Sequence, residues 1–357
     1  MIYFDNAAST PLCASAKEAL LTDYANPSSP HALGLASERA LKTAARDLSN
    51  LLGCEADELI FTSGATEANN LGIIGAALAL QAARGKERDL RLYCAKLEHP
   101  SVSEPLKYLA TLPGFKLEDA DENADFICAS HVNGETGDIL SLNRRNGAVL
   151  FVDGAQAFGK LPVLEADIYS FSGHKFGGPT GVGGLVVRKG LRLLPLMYGG
   201  GQQGAKRPGT ENVSAIVAMA AAAKESYLQA SSQATSVAVI KASLAKLADE
   251  LPDVFINQLT SEASPFILNM SFLNVPGETL VNMLSAQGIY ASMGAACRVA
   301  KKEPALLTAG FSRARVDSAV RFSFSYANTL DEARQAKEVI KVNVQKLRSH
   351  LLKGKRR

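Results

Sequence analysis

Lys175 stands in the run Ser170-Phe171-Ser172-Gly173-His174-Lys175, followed by Phe176-Gly177-Gly178-Pro179. An alternating stretch, residues 167–171, reads as a strand that delivers this lysine into a tight turn. A lysine amine attacks carbonyls only when unprotonated, so a catalytic lysine needs a desolvated or electropositive setting that lowers its pKa. Small neighbours leave room for a bulky electrophile, and Ser172 and His174 can donate hydrogen bonds to an anion. Such a turn suits a Schiff base with pyridoxal phosphate (PLP), whose ring serves as an electron sink. Taken alone, Gly-His-Lys reads more readily as a glycine-rich turn with an exposed lysine, so the weight rests on the rest of the chain.

Five other clusters have the chemistry that a PLP site requires. Thr62-Ser63-Gly64-Ala65-Thr66-Glu67 follows a strand and opens a helix, where backbone amides and hydroxyls form an anion cradle; an ordinary N-cap is the alternative. Phe151-Val152-Asp153-Gly154-Ala155-Gln156 ends a strand with a carboxylate able to pair with a pyridine nitrogen, and Gln156 could donate to the ring oxygen. A strand-end Asp that caps the next helix is equally common. Leu97-Glu98-His99-Pro100-Ser101 puts His99 just past a strand, placed to stack on a cofactor ring and to move protons, or to be a plain loop residue. Arg207-Pro208-Gly209-Thr210, after Gly199-Gly200-Gly201-Gln202, suits a phosphate contact or a flexible surface loop.

The fifth cluster, Ser292-Met293-Gly294-Ala295-Ala296-Cys297, is a small-residue loop with Arg298 adjacent and Lys301-Lys302 nearby. Cations beside a thiol lower its pKa and raise its thiolate content. Arg321, in Ala319-Val320-Arg321-Phe322-Ser323, could clamp a carboxylate with its planar fork, or form a surface ion pair.

The elements that must position these residues follow an α/β pattern. Apolar residues recur at spacings of three or four over residues 32–52, which predicts a helix. Short strands are expected at 58–61, 91–95, 126–130, 149–152, 167–171 and 184–188, alternating with helical segments. That alternation indicates a mainly parallel sheet, whose ligands sit beyond the carboxyl ends of the strands. Helices are expected at 212–227 and 235–251. Beyond Pro252 the pattern changes to strands at 266–272, 289–292 and 319–324, helices at 277–287 and 330–352, and hence a second domain. The expected division is a large PLP-binding α/β domain over 1–250, whose first ~15 residues pack on the smaller domain, and a small C-terminal α+β domain over 251–357 that carries the cysteine loop.

Composition is that of a globular protein: 357 residues, 47% hydrophobic and 20% charged. A net charge of +3 gives no argument for nucleic acid or a membrane surface. No apolar run reaches the roughly 20 residues that span a bilayer, and Asp5 and Asn6 interrupt any signal-like start, so the cytoplasm is the expected compartment. Cys13, Cys54, Cys94, Cys128 and Cys297 are scattered with no Cys-x-x-Cys pair, which argues against disulfides and a structural metal. Cys54, Cys94 and Cys128 sit in apolar settings and read as packing residues.

The ordered set of motifs closely resembles the cysteine desulfurases of the NifS/IscS-like group, within the class V aminotransferase family. The resemblance covers essentially the whole chain, through Tyr3-Phe4-Asp5-Asn6-Ala7-Ala8, Asn26-Pro27-Ser28-Ser29-Pro30-His31, residues 62–70, Glu98-His99, His131-Val132-Asn133, residues 153–156, 170–175 and 207–210, Cys297 and Glu303-Pro304. It implies a PLP-dependent transferase of type I fold with a seven-stranded-type sheet, acting as a homodimer on L-cysteine. By this resemblance Lys175 holds PLP and moves protons, and His99 stacks on the ring. Asp153 pairs with the pyridine nitrogen, and Gln156 and Asn133 contact the cofactor. Ala65, Thr66, Ser172 and His174 bind phosphate, with Thr210 donated by the second subunit. Arg321, with Asn133, holds the substrate carboxylate. Cys297 takes the sulfur, leaving L-alanine and a persulfide for a sulfur acceptor or scaffold protein, in iron–sulfur cluster assembly or thiolation. A selenocysteine lyase or cysteine lyase, or a non-catalytic scaffold, are the other readings of the same fold. The chain departs from the family at Gly134, where a second asparagine is usual, at Met293, and in two shortened stretches, 115–131 and 137–149.

Overall fold

Apolar runs with no polar face, such as Phe126–Ser130 and Ile168–Ser172, must be covered on both sides, which calls for helices above and below a sheet. The computed structural model describes residues 1–85, 88–139, 147–293 and 305–354. The chain divides into two units. A terminal unit comprises Met1–Thr10, Val132–Ile139 and Gln229–Arg357, and a central unit comprises Pro11–His131 and Leu140–Leu228.

The terminal unit opens with strand β1 (Ile2–Tyr3). The central unit then runs α1 (Ala14–Ala19), α2 (Ala32–Leu52), β2 (Leu59–Thr62), α3 (Ala65–Arg84), β3 (Leu90–Cys94), α4 (Pro100–Leu109), β4 (Phe115–Glu118), β5 (Phe126–Ser130), β6 (Val149–Asp153), β7 (Ile168–Ser172) and β8 (Gly183–Val187), and enters α5 (Val213–Ala245). Its seven-stranded sheet has the order β2-β8-β7-β6-β5-β3-β4. Neighbours from β7 to β4 are parallel, while β8 pairs antiparallel with both β7 and β2. Successive side chains leave opposite faces of a strand, and the core divides accordingly. Phe61, Ile127, Val152 and Phe171 pack with Leu48 of α2 and Met219 of α5. Ile60, Phe126, Phe151 and Ile168 pack with Leu71 of α3 and Leu106 of α4. This is the α/β class and mainly parallel sheet that the sequence predicts.

The terminal unit continues through α6 (Leu247–Glu250), β9 (Val254–Ile256), β10 (Ile267–Phe272), α7 (Gly277–Ser285), β11 (Ile289–Tyr290), β12 (Ser292–Met293), α8 (Ala305–Thr308), α9 (Arg313–Asp317), β13 (Ala319–Ser323) and α10 (Leu330–Gly354). Its antiparallel sheet has the order β12-β13-β10-β9, and β1 pairs in parallel with β11. Asn6 is buried and donates through Nδ2 to the Ser323 carbonyl, 2.9 Å away, which ties the first residues to the last strand.

Three local readings change. The expected break near residues 228–234 is absent: α5 is one helix, because its polar Gln and Ser residues are tolerated on a helix whose turns on either side carry the apolar contacts. The chain passes from the central to the terminal unit within it, after Leu228. Helix α4 escapes a sequence reading because it holds Pro100 and Pro105; Pro100 sits at its first position, where no amide donor is needed. Strand β4 lies at the sheet edge with Lys116 exposed, so only half of it carries an apolar signal. No described helix is long and apolar enough to cross a membrane.

Candidate active site

The carboxyl ends of β2, β6 and β7 and the turn after β3 converge on the start of α3. Gly64 precedes that helix at φ 154°, a conformation open to glycine alone, and among the described residues no side chain caps the helix. A Cβ placed there would meet only Ser172 Oγ, at 3.4 Å, so the mouth of the helix stays clear. The amides of Ala65 and Thr66 lie in the first turn, where no intrahelical acceptor exists. Glu67, the acidic residue of that turn, would repel an anion, but Arg207 engages it with Nε–Oε1 at 2.7 Å and Nη2–Oε2 at 3.3 Å. Against burial, which raises it, the bonds from Arg207 and Ser63 hold the Glu67 carboxyl below its ordinary pKa. The loop that carries Arg207 is fixed by Gln203, whose Nε2 donates to the Phe61 carbonyl (2.9 Å) and whose Oε1 accepts from the Phe61 amide, along the free edge of β2.

Lys175 and His174 form a single 3₁₀ turn with Gly173 after β7. Burial, Lys175 and Lys160 together push the His174 imidazole down to about 4, so it is neutral near pH 7 in an electropositive setting. Ser172 is buried beside it.

His99 caps α4. Its Nδ1 accepts from the Ser101 amide (3.1 Å) and lies 2.7 Å from Ser101 Oγ. Buried Asn69, in the first turns of α3, reaches Ser101 Oγ and Asp153 Oδ2 with Nδ2, both at 2.8 Å. Asp153 Oδ1 accepts from the Ala155 amide at 2.9 Å. Desolvation lowers the pKa of His99, Asp153 pulls it up and Lys175 pulls it down, which brings all three into one electrostatic neighbourhood. Leu97 holds φ 65° just before this segment, a left-handed conformation that costs a non-glycine residue about 1–2 kcal/mol. The turn is held because Glu98 accepts from the Ser130 amide and hydroxyl; burial pushes that carboxyl up to about 8. Next to these groups opens a cleft of about 460 Å³, lined by Thr66, Asn70, His99, Ser101, Glu104 and Tyr108 among others.

The structure thus brings Ala65, Thr66, His99, Asp153, Ser172, His174 and Lys175 to one end of the central sheet. Gln156 follows β6 and is half-buried, while Thr210 is exposed at the end of the Arg207 loop. Asn133 and Arg321 belong to the terminal unit. Asn133 Oδ1 accepts from Glu135 N (2.9 Å), Thr136 N (3.0 Å) and Thr136 Oγ1 (3.2 Å), so its carbonyl end closes its own turn. Arg321 is buried: Nη1 donates to the Gly134 carbonyl (2.9 Å), and its terminal nitrogens lie 3.4 Å from Glu135 and 3.5 Å from Asp5. Arg321 Nε has no hydrogen-bond partner among the described residues. Burial lifts Glu135 to about 7, with Arg321 opposing and Asp5 adding to the rise. Cys297, Arg298, Lys301 and Lys302 lie outside the described residues. The sequence motifs contain Asn69 and Ser101 without marking a role for either, because no spacing rule anticipates side-chain bonding across 32 residues.

The class-V aminotransferase family model matches residues 2–128 and 117–335. The cysteine desulfurase IscS of Dictyoglomus turgidum is 32% identical over 382 residues, spanning 98% of this chain and 95% of that protein. The chain belongs to the class-V aminotransferase family, in its IscS/NifS group. A NifS/IcsS protein homolog of Lactobacillus delbrueckii is 34% identical, over 93% of this chain and 94% of its own length. Among solved structures, a NifS-like protein superimposes with a TM-score of 0.86 at 29% identity, over 96% of this chain and 99% of its own. DndA of Streptomyces lividans does so at 0.74 and 30%, over 90% and 99%.

Class-V members are PLP-dependent in general, and the central unit fits that group. A phosphate finds uncapped amides at the start of a long helix whose acid is neutralised, with a neutral histidine and two lysines alongside. A ring would have near it His99 and a buried carboxylate, Asp153, held by donors from Asn69 and Ala155.

Proposed function

We propose that this chain is a PLP-dependent cysteine desulfurase that converts L-cysteine to L-alanine and places the sulfur on Cys297 for delivery to an acceptor. The observation that carries this reading is the pairing of the electropositive turn at His174 and Lys175 with the open amides of Ala65 and Thr66. When bound, PLP supplies an electron sink for the amino-acid carbon skeleton. Ala65, Thr66, Ser172 and His174 hold its phosphate, Asp153 faces its ring nitrogen, Gln156 its ring oxygen, and Lys175 anchors it and relays protons. His99 covers the ring and excludes water from one face. Arg321, whose Nε keeps a donor in reserve, orients the substrate carboxylate, with Asn133 alongside. The Cys297 thiol attacks the substrate sulfur: an S–S bond forms, the C–S bond breaks, and the carbon takes a proton to become alanine. Atoms and electrons balance without a further oxidant.

The assembly of this reading is a homodimer in which Thr210, exposed in this chain, completes the phosphate site of the second copy. Its compartment is the cytoplasm, where the thiol stays reduced, and its partner a sulfur-accepting or scaffold protein.

The test is absorbance of the lysine-bound cofactor together with sulfide and alanine release from L-cysteine. Lys175→Ala is expected to lose the absorbance. Cys297→Ala is expected to keep it while losing protein-bound persulfide. Sulfur release that survives Cys297→Ala undiminished, or a wild-type protein that takes up no cofactor, overturns the proposal.

A further inference from the structure

Protons can be assigned along the line from Asp153 to His99. The Asn69 amide lies between a carboxylate, which faces its Nδ2, and the Ser170 hydroxyl, which donates to its Oδ1. The Nδ2 group has two hydrogens: one goes to Asp153 Oδ2, the other to Ser101 Oγ, each at 2.8 Å. Ser101 Oγ therefore accepts from Asn69, and its single hydrogen points to the neighbour that remains, His99 Nδ1 at 2.7 Å. The Ser101 amide also donates to that nitrogen, at 3.1 Å. Two donors aimed at one ring nitrogen leave no place for a proton on it. Asn69 and Ser170 are fully buried, and Asp153 and Ser101 nearly so, so water does not compete for these bonds.

We propose that Asn69 and Ser101 are positioning residues that fix His99 as the Nε2–H tautomer by a one-way hydrogen-bond relay from Asp153. The relay gives His99 a defined task in the reaction proposed above, on which this role rests. In the neutral ring the proton sits at Nε2, on the edge away from Ser101, so His99 donates there and does not take a proton at that atom. The relay also ties the orientation of the carboxylate that faces the cofactor nitrogen to that of the ring that covers the cofactor. Neither Asn69 nor Ser101 need touch substrate or cofactor for this.

The tautomer is read directly from ring-nitrogen NMR of the protein labelled at its five histidines, with and without PLP, the His99 signals being assigned by their loss in His99→Gln. The wild-type protein is expected to hold Nε2–H over Nδ1–H by about tenfold or more, the value of two hydrogen bonds to Nδ1. Ser101→Ala is expected to reduce that ratio about fivefold and Ser101→Thr to restore it. Asn69→Ala, which removes no direct contact with His99, is expected to reduce it about twofold through the freed hydroxyl. A wild-type His99 protonated at Nδ1 overturns the proposal and needs no variant beyond the one used for assignment. So does an unchanged ratio in both folded alanine variants. Failure of cysteine turnover with the tautomer intact would count against the proposed activity alone.

Discussion

Gly72→Ala tests how rigidly the site is built on α3. Gly72 lies one turn beyond Asn69, on the face of the helix that meets the sheet. A Cβ there would stand 2.8 Å from Phe151 Cε2, 3.0 Å from Leu185 Cδ1 and 3.2 Å from Ile168 Cγ2. Carbon atoms pack at about 3.5–4.0 Å, and Phe151 is a fully buried ring with nowhere to turn. The helix must therefore lift by roughly half an ångström or more to restore ordinary contacts. Overpacking of this kind costs about 1–3 kcal/mol, and the better helix propensity of Ala returns about 1 kcal/mol. The expected net loss is up to about 2 kcal/mol, seen as a lower urea midpoint. The same lift lengthens the 2.8 Å bond from Asn69 to Asp153, so the His99 tautomer ratio should fall as well. Gly75→Ala is the comparison: its Cβ runs into the Leu194 carbonyl rather than the sheet, so it should cost stability without reaching Asn69. A Gly72→Ala protein as stable as wild type, with an unchanged tautomer ratio, would refute the claim that α3 is seated immovably on β6 and β7.

Arg207→Ala leaves Glu67 unpaired beside the amides of Ala65 and Thr66; because the pair is partly exposed, stability should change by less than about 1 kcal/mol. PLP affinity should nonetheless fall about tenfold in a spectrophotometric titration and recover in Arg207→Ala with Glu67→Gln, since the repulsion is then gone; equal loss in both proteins would exclude the electrostatic account. Burial holds His131, and burial with Lys175 and Lys160 holds His174, at about 4. The unfolded chain binds those protons near the ordinary 6.5, so both histidines withdraw stability as pH falls from about 6.5 to 4. His131→Gln and His174→Gln should each flatten this part of the urea-midpoint profile relative to wild type. Glu98, raised by burial to about 8, works in the opposite sense: its contribution is complete below about 4.5 and is lost as pH rises through 8. Glu98→Gln should therefore remove a rise in stability between pH 8 and 4.5, and parallel profiles would show that the buried carboxyl does not titrate there.

What could be read in the chain beforehand was whatever depends on local order. The strands that carry Asp153 and Ser172 were visible because runs buried on both faces are uniformly apolar, and the turns after them because glycine and small polar residues interrupt such runs. The helix start at Ala65 and Thr66 was legible for the same reason, since Ser-Gly-Ala-Thr ends the apolar run of the strand with residues that suit a helix entry. Side-chain partnerships between distant segments were not legible. Asn69 and Ser101 stand 32 residues apart, Glu67 and Arg207 140 apart, and no spacing rule connects them. Asn133 shows the reverse case: its residue type suits a cofactor contact, yet its carbonyl oxygen is taken by the turn at Glu135 and Thr136. Edge strand β4 and the proline-bearing α4 were hidden because each contradicts the usual signature of its class.

The bond from Asn6 to Ser323 joins residues 317 positions apart, and β1 finds its partner only at Ile289 and Tyr290. On a ribosome the first ten residues therefore emerge long before anything they can pair with. At about 5–20 residues per second, roughly 15–60 s pass before that partner is made. In the interval every strand of the central sheet has left the tunnel. The leading peptide must stay unpaired while its own successor folds, then close the terminal unit last.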